Sequence, residues 1–349
     1  MSAVVAPPEP RGTRADVRSR RLTERVFRVR ESGILGVLVL FVVVTTAIQP
    51  RFLDSTNIRF VLVNTTVFAL LALGETMVVV SRNVDLSVGS VLGLSAFVSA
   101  SLFGSTPGIS IVIVFLVGLG IGLACGIANG LMVAVGRVPS LVVTLATLYV
   151  IRGIDILHVG GSEVIASTLP PGFTAIAQRT VLGIPYVAIA VAMVVAAGAY
   201  YMRTFRSGRE LYAIGSNPDA ARLAGIRVGG RIFGAFAMSG AIAGVAGVLW
   251  AAQYQTIDSS AGTGYELQVI AAVVVGGVAI FGGSGSVVGA ALGALLLNTI
   301  NSALNVLGIS SLWVDAIAGF LLLLAISLDR VISVRLAGAL RTLRARGGA

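Results

Sequence analysis

Long apolar runs alternate with short polar breaks along almost the whole chain. Runs long enough to cross a bilayer, roughly 20 residues each, recur near 33–49, 60–81, 86–103, 109–135, 138–158, 181–202, 232–254, 267–281, 286–308 and 311–332. The run at 267–281 is short and broken by glycine. Short segments of strict apolar–polar alternation, which a transmembrane barrel requires, are absent from the sequence. The pattern therefore predicts an all-α polytopic membrane protein with about ten transmembrane helices. The first run reads as a retained span because it is long and lacks a small-x-small cleavage site.

Within these runs, glycines recur at every fourth position: Gly118/Gly122/Gly126, Gly240/Gly244 and Gly289/Gly293. Small residues at this spacing let helix backbones approach closely in lipid, so these positions are read as packing seams. Two segments also resemble each other, NGLMVAVGRVPSLVV from Asn129 and NSALNVLGISSLWV from Asn301. They stand five runs apart, so a true repeat would be an inverted five-plus-five arrangement of the kind many transporters have. Chance similarity between apolar segments is the competing reading.

Composition agrees with the pattern. Of 349 residues, 56% are hydrophobic and 11% charged, about half the charged share of a soluble domain. The net charge of +10 comes from 25 basic residues, all of them arginine. Twenty-one fall in the N-terminal arm, at Arg82 and Arg137, between Arg203 and Arg231, and from Arg330 onward. This asymmetry predicts that those segments and both termini are cytoplasmic. The basic charge is then an orientation signal, and no nucleic-acid partner is expected. The chain divides into an Arg/Pro-rich arm (1–32), a membrane domain (33–332) with a cytoplasmic loop at 203–231, and a C-terminal tail (333–349).

The residues argue against an enzyme. The one cysteine, Cys125, and the one histidine, His158, cannot build a metal cluster or a redox pair. Glu75, Asp85, Asp155 and Asp315 are scattered over different runs, and no G-x-S-x-G nucleophile motif occurs. Intramembrane ionisable groups more often mark a transport path. A P-loop needs a lysine, and this chain has none. A transporter built on it takes its energy either from a separate ATPase subunit or from an ion gradient acting on Glu75 or Asp85. A passive channel is the third class.

The loop RTFRSGRELYAIGSNPDAARLAGIRVGGR bears on that choice. Within it, SNPDAARLAG carries a complete set of helix boundaries: Asn217 at the N-cap, Pro218 at the first helical position, Asp219 at the positive end of the dipole and Gly225 at the stop. Two isolated turns are unstable in water, so this helix reads as a docking element held by a partner. An ordinary solvated loop helix is the plainer alternative.

D-A-A-x-x-x-G (Asp219, Ala220, Ala221, Gly225) resembles the E-A-A-x-x-x-G loop of ABC importer permeases, with aspartate for glutamate and without the downstream I-x-L-P. VDLSVGSVLGLSAFVSA, NGLMVAVGRVPSLVVTLATLYVIRG, GRELYAIGSNPDAARLAGI and ELQVIAAVVVGGVAIFGGSGSVVGAALGALLL are similar, in this order, to signature blocks of ribose/autoinducer-type sugar permeases. The resemblance covers roughly 33–332. Most ribose-type members have two glycines where Arg82 and Asn83 stand here, which is more like the autoinducer-2 and rhamnose branches. It implies a permease in the bacterial cytoplasmic membrane that binds no cofactor itself. Its expected partners are an ATP-binding subunit, an extracytoplasmic sugar-binding protein, a second permease copy or homologue, and membrane lipid. Alternating access driven by ATP on the partner subunit is the mechanism it implies.

Candidate residues follow. For coupling they are Arg209, Glu210, Asn217, Asp219, Arg222 and Gly225. For the path they are Asn64, Asn129, Thr144 and Thr147, with Asn298, Asn301 and Asn305 on one face of one helix; interhelical hydrogen bonding is the alternative role for these polar groups. Arg152 and Asp155, three apart, are expected to pair. In SRNVDLSVGS, the signature helix start is Asp85, Ser87 and Gly89. Asp85 is read as an N-cap at or just inside the cytoplasmic face, with Arg82 hydrated or approaching it.

Overall fold

A computed structural model describes residues 32–310, 312–324 and 327. The N-terminal arm up to residue 31, the C-terminal tail and the end of the last predicted span lie outside the described residues.

Helices dominate. Among the described residues, seven are long and apolar enough to cross a membrane: α2 (Ser55–Val79), α3 (Val88–Ser105), α4 (Ile111–Ala134), α5 (Ser140–Val159), α7 (Tyr186–Thr204), α10 (Val228–Tyr254) and α12 (Val287–Val306). Three shorter apolar helices, α1 (Ser32–Ile48), α11 (Tyr265–Val275) and α13 (Trp313–Leu324), lie on the remaining predicted runs. The polar connections hold α6 (Pro171–Gln178), α8 (Arg206–Ser216) and α9 (Pro218–Leu223). A two-stranded hairpin, β1 (Thr180–Val181) and β2 (Ile184–Pro185), pairs antiparallel around Leu182 and Gly183, both left-handed.

Several helix boundaries have local causes. Ser110 accepts from the Val112 N–H to start α4, Ser286 accepts from the Gly289 N–H to start α12, and left-handed Gly160 ends α5. Such caps satisfy backbone groups that the helix leaves unpaired. α11 ends at Val275 because Gly276 and Gly277 turn the chain, so this run is shorter than its hydropathy predicted.

α2 and α10 form the centre. α10 packs on α4, α3 and α2, while α12 packs on α2 and α11. α4, α5 and α7 bury a much smaller share of their residues than α2, α3, α10 and α12, the arrangement expected of helices with one side facing lipid or a partner. The predicted glycine seams are present. A Cβ on Gly122 would stand 2.1 Å from the Gly240 carbonyl oxygen, and one on Gly244 2.1 Å from that of Gly118. A Cβ on Gly293 would lie 2.0 Å from the Ala272 carbonyl oxygen, so α12 uses the same device against α11.

Candidate translocation and coupling site

The polar segment between α2 and α3 is the centre of the candidate site. Arg82 is left-handed, with φ 66°, and its guanidinium turns away from Asp85. It donates to the Phe281 carbonyl at 2.9 Å and to the Ser216 carbonyl at 3.2 Å. Val80 is held from the same side, because the Gly283 N–H donates to its carbonyl at 2.9 Å. The end of α8, the start of this segment and the turn before α12 therefore form one junction. Tyr212 of α8 adds a hydroxyl donation to the Gly285 carbonyl at 3.2 Å.

From the junction, residues 83–85, which belong to no helix or strand, run into the protein. The first turns of α5 hold them: the Val84 N–H donates to Ser140 Oγ at 3.2 Å, and Thr144 Oγ1 donates to the Val84 carbonyl at 3.2 Å. Asp85 is fully buried beside Ser239, near the middle of α10. The segment 83–87 carries the start of α3 into this buried position. The predicted cap is corrected. Ser87 occupies the N-cap position, and Asp85, two residues earlier, accepts from the Ser87 N–H at 3.0 Å and hydroxyl at 2.6 Å. Ser239 donates to its other oxygen at 3.4 Å.

This network extends to two neighbouring helices. The Asp85 N–H donates to Glu75 Oε1 at 3.1 Å, and Asn129 Nδ2 donates to Ser87 Oγ at 2.8 Å. Gly89, the second residue of α3, lies so close to the next broken region that a Cβ there would meet the Gly262 carbonyl at 2.5 Å and the Glu266 carboxylate at 2.4 Å. Two helix starts, those of α3 and α11, therefore meet inside the protein. Discontinuous helices of this kind place backbone dipole ends at transporter binding sites.

On the 203–231 segment, α9 has the predicted boundaries. Asn217 Oδ1 accepts from the N–H groups of Asp219 and Ala220, both at 3.0 Å, and Gly225 is left-handed. Asp219 pairs with Arg222 at 2.5 Å in solvent, a contact worth little in itself. Leu223 is 91% exposed. Glu210 of α8 takes Arg206 on one oxygen at 2.7 Å and Arg231 of α10 on the other. Hydrogen bonds from Arg206 and then Arg231 hold its carboxyl below the ordinary value of 4.5. Arg209 donates to the Thr204 carbonyl at 2.5 Å, closing the α7–α8 corner.

The predicted path residues separate into clusters. Asn129 and Thr144 join the Asp85 segment, with Thr147 donating to the Thr144 carbonyl. Asn298 donates back to the Ala294 carbonyl of its own helix, while Asn305 donates to Asn301 at 3.3 Å. Asn64 lies elsewhere, accepting from Gln253 at 2.8 Å and Tyr254 at 2.7 Å. Around it stands a group that sequence reasoning missed: Trp250 stacks on Tyr254 with centroids 4.4 Å apart, and Phe68 packs on Tyr265 at 4.6 Å. The i, i+4 spacing of Trp250 and Tyr254 was its only local signal. Arg152 and Asp155 pair at 3.4 Å as expected, and Arg152 also donates to the carbonyls of Ser259 and Ala261.

A cleft of about 770 Å³ between α2, α4, α6, α7 and α10 is walled by residues such as Leu70, Phe115, Val191 and Ile242, with Arg179 among its lining. Such a wall suits hydrocarbon rather than a hydroxyl-rich solute.

Comparison with known proteins covers most of the chain. A family model described as branched-chain amino acid transport system / permease component matches residues 57–326. Ribose import permease protein RbsC of Escherichia coli (strain K12) is 34% identical over 324 residues, 91% of this chain and 98% of the relative. Autoinducer 2 import system permease protein LsrC of Enterobacter sp. (strain 638) is 36% identical over 298 residues, 85% of each chain. LsrC of Escherichia coli (strain K12 / DH10B) is 35% identical over 300 residues, 86% of each. No solved structure matches.

Proposed function

The chain belongs to the permease-component family of branched-chain amino acid transport systems, and from that premise we propose that it is the membrane subunit of an ABC importer for a monosaccharide or similar small polyhydroxylated solute. The similarity to ribose and autoinducer-2 import permeases along nearly the full length supports this solute class. Arg82 and Asn83, in place of two glycines, favour the autoinducer-2- or rhamnose-like branch over ribose. In this reading the protein crosses the bacterial cytoplasmic membrane ten times, with both termini cytoplasmic. It works with an ATP-binding subunit, an extracytoplasmic binding protein and a second permease copy or homologue.

One observation carries the mechanism: the end of α8 meets the start of the Asp85 segment through the Arg82 bond to Ser216 and the close approach of Gly215 to Val80. α9, with Leu223 uncovered, offers an apolar knob to the ATPase. Force on α9 passes through α8 and the junction to the interior start of α3, where the helix ends inside the protein provide the gate for alternating access.

Uptake into vesicles containing the permease, an ATPase subunit and the binding protein tests this. Solute accumulation should require ATP and survive an ionophore. The alternative is an ion-coupled secondary transporter using Glu75 and Asp85; it predicts uptake without ATP that an ionophore abolishes.

A further inference from the structure

Glu75 and Asp85 form a buried acid pair without a cation. Glu75 is 0% and Asp85 1% exposed, and among the described residues neither enters an ion pair. The charged groups on the surrounding elements are engaged or placed elsewhere. Arg82 donates to the carbonyls of Phe281 and Ser216, Arg231 to Glu210, and Arg152 to Asp155 and two carbonyls. Arg203 lies in the last turn of α7, His158 packs edge-on against Phe97, and Glu266 adds another negative group beside Gly89. α3, α4 and α12 carry no charged residue.

The donors around the pair are divided unequally. Asp85 accepts from the Ser87 N–H, the Ser87 hydroxyl and the Ser239 hydroxyl, beside the start of α3. Three donors and a helix N-terminus stabilise an ionised carboxylate. Glu75 receives one donor, the Asp85 N–H on Oε1, and its Oε2 is buried without a partner. A second oxygen of the same network, Asn129 Oδ1, is also buried and unpartnered, although its amide nitrogen already bonds Ser87. An unpaired buried charge is far costlier than a neutral acid. A hydrogen on Glu75 Oε2 removes that cost, and Asn129 Oδ1 is an acceptor of the type it needs.

We propose that the Glu75–Asp85 pair is a proton-binding site holding a single proton on Glu75 Oε2, with Asp85 ionised. The site is independent of which solute the permease carries and lies at the interior end of the junction that α8 and α9 reach. Opening that end would bring Glu75 to water and release the proton, so protonation is linked to the position of the Asp85 segment.

Infrared difference spectra of the full chain in lipid nanodiscs at neutral pH test the assignment. The wild type minus Glu75→Gln spectrum should show a protonated-carboxyl band, and the wild type minus Asp85→Asn spectrum an ionised-carboxylate band. An ionised band in the first spectrum, or a protonated one in the second, overturns it. If one variant does not fold, the wrong band for the acid replaced in the other still overturns the assignment. A sodium-dependent rise in Tm that Glu75→Gln removes would assign the neutralising charge to an alkali ion and overturn it too.

Discussion

Val80 and Gly215 meet backbone to backbone: a Cβ on Gly215 would stand 1.8 Å from the Val80 carbonyl oxygen, which already accepts from the Gly283 N–H. No side chain fits between them, so Gly215→Ala must separate α8 from the Asp85 segment. Overpacking of this kind costs about 1–3 kcal/mol. The expected result is a lower Tm and a larger loss of ATP-dependent uptake than the change in stability explains. Wild-type uptake in Gly215→Ala vesicles would show that the contact transmits nothing.

Arg82 sits at φ 66°, a conformation costly for side chains with a Cβ, yet its guanidinium secures two carbonyls. Arg82→Ala keeps the backbone cost and loses both bonds; Arg82→Gly loses the bonds but relieves the backbone. Thermal unfolding should therefore rank wild type above Arg82→Gly and Arg82→Gly above Arg82→Ala, with the two variants about 1 kcal/mol apart. The reverse order of the two variants would mean that backbone conformation is not what limits this position.

At the tip of the coupling segment, Gly225 has φ 77° and open space around it. Gly225→Asp introduces backbone strain and a charge next to Leu223, where the proposed ATPase contact lies. ATP-dependent uptake should be lost while membrane insertion persists, as read by vesicle transport and by the amount of protein in the membrane fraction. Normal uptake would remove α9 from the coupling reading.

Glu210 supplies a pH test. Its carboxyl titrates below its ordinary 4.5 because Arg206 and Arg231 hydrogen-bond the ionised form. A carboxylate with a lowered folded value stabilises the fold above its unfolded value, and that contribution is lost as pH falls through the folded value. Tm should therefore drop on acidification below about pH 4.5, and Glu210→Gln should flatten that part of the curve. A Glu210→Gln curve parallel to wild type in this window would show that the two arginines do not stabilise the fold through this carboxylate.

Much of the helical pattern was legible because each run is locally apolar, and the α9 boundaries because Asn217, Pro218 and Gly225 act within a few residues. α8 was not foreseen: RSGRELYAIGS carries too few apolar residues to stand out, and its helix is secured by Glu210 reaching Arg231, 21 positions away. The arginine count placed Asp85 on the cytoplasmic side, but charge reports the side of a loop and not the packing of Asp85 against Glu75 and Ser239. The meeting of Val80, Gly215 and Gly283 depends on three distant segments, and no local pattern encodes it. For the same reason, the path asparagines looked alike in sequence although Asn64, Asn129 and Asn298 have unrelated partners.

The α4–α10 seam has a mechanical consequence. Gly118, Gly122 and Gly126 face Gly240 and Gly244 with carbonyls pressed towards Cα atoms at successive turns. Each glycine leaves no room for a Cβ against the facing backbone, so the close approach depends on the glycines of the two helices staying opposite one another. The two helices are then a single beam, stiff along its length. In the proposed alternating access, the change of shape would then fall outside this seam, at the segment before Asp85 and the glycine turns at 276–286.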